Sequence, residues 1–137
     1  MKYMMMVKVN GNSEAGRNYE TSAPPDPKLM EAVAKHAEKL AKAGVLLDTG
    51  GLLPSAKGAR VQAAGGKLAV TDGPFAESKE LIGGYAILQA KSKEEAIQLG
   101  KDFMKLHVDI LGPSYEAELE IRQMHDSMDC GGEAAKP

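Results

Sequence analysis

The order in which two apolar periodicities follow one another limits the fold of this chain more than any single residue. Alternation at every second position marks strands, and recurrence at three and four marks helices. Residues 2–9 open with a strand pattern: Tyr3, Met5, Val7 and Val9 share one face, while Met4 and Met6 lie between Lys2 and Lys8 on the other. Apolar groups on both faces predict a strand covered on both sides. Asp26-Pro27 then offers an N-cap and a preorganised first helical residue. Leu29, Val33, His36 and Leu40 recur at helical spacing, and Gly44 is placed to end the helix. A second strand is expected over 45–53, interrupted by Gly50-Gly51 and stopped by Pro54, and a compact apolar one over 84–90. Ser92 and Glu95 form a capping-box pair. The helix they open carries Ala96, Leu99, Phe103 and Leu106 on one stripe, extends to about Asp109, and is broken by Gly112-Pro113. The last strand is expected over 115–124, with Tyr115, Ala117, Leu119 and Ile121 alternating against Glu116, Glu118, Glu120 and Arg122.

Two further strand-like runs, 60–64 and 67–71, flank Gly65-Gly66 and predict a β-hairpin. With that hairpin set aside, the order is strand, helix, strand, strand, helix, strand. This is the βαββαβ pattern of an α+β, ferredoxin-like fold with an inserted β-hairpin. Its helices cover one sheet face, so the other, bearing Met4 and Met6, needs a cover. A symmetric homodimer pairing two sheets face to face supplies one. First and last strands are neighbours in this topology, which sets Lys2 and Lys8 near the Glu116, Glu118 and Glu120 row, as cross-strand pairs or as solvated charges.

Composition narrows the function classes. The 137 residues suit one domain, expected over 1–124, followed by a polar, disordered tail over 125–137. A formal net charge of -2 gives no field favouring nucleic acid or an anionic membrane, and only six aromatic side chains (four Tyr, two Phe) argue against a base-stacking surface. No run approaches membrane-spanning length or resembles a signal peptide. The single cysteine, Cys130, has no partner within the chain, and a cytoplasmic protein is the natural expectation. His107, His125, Asp126, Asp129 and Cys130 are metal ligands by type, but their spacing matches no established site, so no metal and no cofactor is expected.

Directly after the hairpin stands Thr71-Asp72-Gly73-Pro74-Phe75-Ala76-Glu77-Ser78-Lys79-Glu80. Physically this is a turn: Asp accepts backbone hydrogen bonds, Gly permits positive φ, Pro fixes the exit, and Phe75 is expected to plug the core. With the opening Met1-Lys2-Tyr3-Met4, with Gly83-Gly84-Tyr85, and with the stretch from His36 through Val45-Leu46-Leu47, it resembles the YCII-related family of DGPF type. Ser78 stands where that signature more often has Thr. The resemblance covers residues 1–124 and implies a dimeric α/β barrel on the ferredoxin-like topology. Shorter relatives imply a His/Asp pair in a cleft. His36 matches their histidine, whereas Lys42 and Ala43 replace their aspartate, leaving Asp72 as the available carboxylate. The resemblance also implies an association with extracytoplasmic-function sigma factors, and so a non-enzymatic regulatory role as the alternative to a pocket.

Four residues follow as candidates. His36 is expected to face the sheet, either as an acid/base or as a core histidine satisfied by one partner. Asp72 orients it, or is only a turn residue. Tyr85 donates its hydroxyl into the same small-molecule pocket, and Lys79 binds a polar ligand group, or belongs to a solvated charge cluster.

Overall fold

The computed structural model describes residues 1–10, 13, 17–18, 25–75 and 80–125. Its elements run β1 (Lys2–Val9), α1 (Pro27–Lys42), β2 (Leu46–Gly51), a 3-10 turn (Ser55–Lys57), β3 (Ala59–Ala64), β4 (Lys67–Asp72), β5 (Leu81–Gln89), α2 (Lys93–Leu111) and β6 (Glu118–Gln123). A four-stranded sheet has the order β2-β5-β1-β6, with antiparallel neighbours throughout. This is an α+β architecture compatible with a ferredoxin-like fold. Cys130 and the expected tail beyond His125 lie outside the described residues. Among the described residues no helix is long and apolar enough to cross a membrane, and no group of three or more His, Cys, Asp or Glu is placed to hold a metal ion.

The two helices meet the sheet differently, and small side chains account for it. On α2, Ala96 is fully buried and Gly100 lies where an added methyl would stand 2.9 Å from both Leu119 Cδ2 and Ile121 Cδ1. Lacking that methyl, α2 docks closely on β6 and joins Tyr3, Ala90, Ala96, Leu99 and Ile121 into the core. Helix α1 begins as its cap predicts, with Asp26 Oδ1 accepting from the Lys28 amide at 2.8 Å, yet buries no residue. It therefore stands off the sheet.

Register assigns the faces. Tyr3, Met5 and Val7 pair with Leu88, Ala86 and Gly84, so these residues share the helix side. Met4 and Met6 pair with Ile87 and Tyr85, and with Arg122 and Glu120, on the open side. There Lys8 reaches Glu80 and Glu120 at 2.7 Å and Glu118 at 3.3 Å. Those carboxylates, Glu120 foremost, hold the Lys8 ammonium above the usual lysine range, and Lys8 in turn holds Glu120 below the usual carboxylate range.

Between β2 and β5, the strands β3 and β4 pair with each other in a separate two-stranded sheet. Every residue of both is exposed, including Val61 (67%), Leu68 (76%) and Val70 (67%), which the register places on one face.

Several expectations change. β5 begins at Leu81, because Lys8 and Val9 continue the ladder onto Ile82 and Leu81 past a register shift; at Gly84 the missing side chain lets the Gly50 carbonyl come to 3.1 Å from where a Cβ would stand. β6 begins only at Glu118, since Gly112 takes φ 88° and Tyr115 closes a turn onto its carbonyl at 3.2 Å. The Tyr115 ring instead stacks on His107, 5.3 Å between centroids. Phe75 is half-buried and lies outside the core: its ring sits under the Arg60 guanidinium at 3.8 Å. Gly73 has no positive φ. A Cβ on it would stand 1.7 Å from the Ser55 carbonyl oxygen, so close backbone approach is what requires glycine there.

Candidate functional site

The space that α1 leaves is a cavity of about 430 Å³, within the usual size of small-molecule pockets. Helix α1 contributes Met30, Val33, His36, Ala37 and Leu40; α2 contributes Leu99 and Phe103; the floor includes Met5, Val7, Ala86 and Leu88. No Asp, Glu, Lys or Arg is among its lining residues. The amphipathic spacing of α1 turns His36 inward with Val33 and Leu40. Its Nε2 is buried and has no hydrogen-bond partner. A buried polar atom without a partner is uncommon, because desolvating it is unfavourable. Here that atom belongs to a residue that lines an apolar cavity.

Of the other three candidates, only Tyr85 is among the lining residues. It lies between Gly84 and Ala86, which face the helices, so alternation sends its ring to the open face. There the ring covers Gly50, whose Cβ would stand 2.8 Å from Tyr85 Cε1. The Tyr85 hydroxyl points to Asp48 Oδ2 at 3.5 Å, a long contact. Asp72 is exposed, at the end of β4 opposite Ala59, and is not among the lining residues. Lys79 lies outside the described residues. Of the described candidates, His36 and Tyr85 both border the cavity, only His36 turns its side chain into it, and Asp72 is not brought there.

Asp48 carries no local signal of its place beside Tyr85. Leu46 faces the cavity while Asp48 shares the open face with Ile87, because the register shifts between them. Strict alternation would have put both on one side. Thr49 does face the cavity, and its hydroxyl donates to the Tyr85 carbonyl at 3.0 Å.

The Asp72-Gly73-Pro74-Phe75 turn has a structural task. The Gly73 amide donates to the Gly58 carbonyl at 2.9 Å, and the Phe75 amide to Ser55 Oγ at 2.8 Å. Together they fasten the end of the β3–β4 ribbon to the 3-10 turn. Against families of known proteins, residues 1–103 match the YCII-related domain. The chain belongs to the YCII-related domain family. An uncharacterized protein of Rhizobium meliloti (strain 1021) is 31% identical over 81 residues, which cover 59% of this chain and 65% of that relative. The domain match thus names a family, and neither it nor this relative names a reaction.

Proposed function

We propose that this YCII-related protein, of the DGPF type, binds a small molecule in the cavity beneath α1, with His36 as the group that engages it. The observation that carries the reading is the buried, unpartnered Nε2 of a residue lining an apolar cavity of about 430 Å³. If a reaction follows binding, proton transfer at Nε2 is the chemistry this wall offers, with no carboxylate of the lining to orient the ring. Asp72 then serves the turn rather than the cavity. The protein acts as a homodimer. On the open face Met4, Met6, Tyr85 and Ile87 form an apolar centre beside the Lys8–Glu118–Glu120 cluster. Face-to-face pairing of two such sheets gives a dimeric α/β barrel, with the β3–β4 ribbon as an insertion outside it.

Light scattering is expected to give twice the 14.5 kDa of one chain, and a monomer at micromolar concentration refutes the barrel. Methyl NMR of a fragment library should shift Met5 and Met30, which line the cavity, ahead of Met4 and Met6. Hits that move only the open-face methionines refute the pocket.

A further inference from the structure

The walls of the cavity also select a class of ligand, provided the pocket reading above holds. Two side-chain polar groups matter. The Thr49 hydroxyl already donates to a backbone carbonyl, which leaves His36 Nε2 as the group in need of a partner. Depending on its tautomer, a neutral imidazole nitrogen either donates or accepts. A hydroxyl answers both states, since it carries one donor hydrogen and two lone pairs; a carbonyl answers only the donor. A carboxylate or phosphate would enter a space with no Lys or Arg among its lining residues, losing hydration without an opposite charge to replace it. Leu40, Leu99 and Phe103 offer only carbon to the rest of the molecule.

We infer that the cavity takes a neutral, mainly hydrocarbon molecule of ring size bearing a hydroxyl that bonds His36 Nε2. Anionic metabolites and phosphorylated compounds are not its ligands.

Three probes of one ring system separate the alternatives: 2-indanol, indane and indane-2-carboxylate, each titrated into the full chain with methyl-labelled methionine. The expected result is that 2-indanol shifts Met5 and Met30 and binds roughly tenfold more tightly than indane, the ratio one net hydrogen bond supplies. Indane-2-carboxylate leaves those methyls unmoved. In His36→Leu the alcohol and the hydrocarbon bind equally, and in His36→Gln, which still hydrogen-bonds, part of the preference survives. Should His36→Leu fail to fold, the ratio measured in the unsubstituted chain decides. Equal affinity for 2-indanol and indane overturns the hydroxyl while leaving the pocket standing. Tighter binding of the carboxylate overturns the neutral class. Silence of Met5 and Met30 toward all three refutes both this inference and the pocket.

Discussion

Replacing Gly73 by alanine tests whether the DGPF turn is a mechanical joint. The new Cβ would stand 1.7 Å from the Ser55 carbonyl oxygen, 2.6 Å from its carbon and 3.3 Å from the Ala56 nitrogen. These are backbone atoms, so no rotamer change relieves the overlap, and the two segments must part by more than an ångström. Parting them breaks the Gly73–Gly58 bond (2.9 Å) and the Phe75–Ser55 bond (2.8 Å), and disturbs the Gly58–Ser55 bond (3.0 Å) within the 3-10 turn. At about 1 kcal/mol net for each bond broken, and a fraction of that for the one disturbed, the hydrogen bonds amount to about 2–3 kcal/mol. The Arg60–Phe75 contact adds about 0.5–1 kcal/mol. The joint should therefore open about 2.5–4 kcal/mol more easily, a rise on the order of a hundredfold or more in hydrogen exchange at the Gly58, Gly73 and Phe75 amides. Met5 and Leu88, in the four-stranded sheet, should keep their protection. Gly66→Ala is the control: its φ of 77° makes alanine strained, but nothing lies within 4 Å, so the joint should stay closed. If Gly73→Ala leaves the Gly58 and Phe75 amides protected to within a few-fold, close approach is not the reason for glycine.

Two further outcomes concern α2. Ser92 Oγ accepts from the Glu95 amide at 3.1 Å, so Ser92→Ala should lower stability by about 1 kcal/mol in chemical denaturation, and an unchanged midpoint would deny the cap its role. Burial holds His107 below its usual value of 6.5, against a smaller opposing effect of its bond to the Phe103 carbonyl. The unfolded chain thus takes up the proton first. Stability is full above about pH 6.5, declines as pH falls toward the folded value, and levels off below it. His107→Phe should flatten that decline in urea midpoints measured across the same range; an unaltered slope would assign it elsewhere.

The fold was largely legible because its signals are local. Asp26-Pro27 capped α1, Ser92 capped α2, and Gly65-Gly66, at φ 58° and 77°, turned the ribbon where the pattern put it. The expected capping box differs in one partner: the Glu95 carboxylate accepts from the Lys91 amide, at 2.8 Å, one residue before the cap. Lys8 reaches Glu118, directly opposite it on β6, and Glu120, its diagonal neighbour on the same face. The cavity was legible only at His36, whose place on an apolar stripe implied an inward ring. Asp72 and Tyr85 depended on long-range placement that no local spacing encodes: one ends a ribbon away from the cavity, and the other turns its ring to the far face. Gly73 was recognised as necessary for the wrong reason, because a close approach leaves no trace in the sequence other than the glycine itself.

The two register shifts have a consequence for how chain length can vary. Leu47 is surplus between Leu46 and Asp48 on β2, and Gly83 is surplus between Ile82 and Gly84 on β5, as extra residues in bulges. Removing a residue anywhere else in these strands would reverse every side chain beyond it, turning cavity wall to open face. Removing Leu47 or Gly83 would straighten the strand and leave all the others where they are. These two positions are where the sheet can lose a residue without exchanging its two faces.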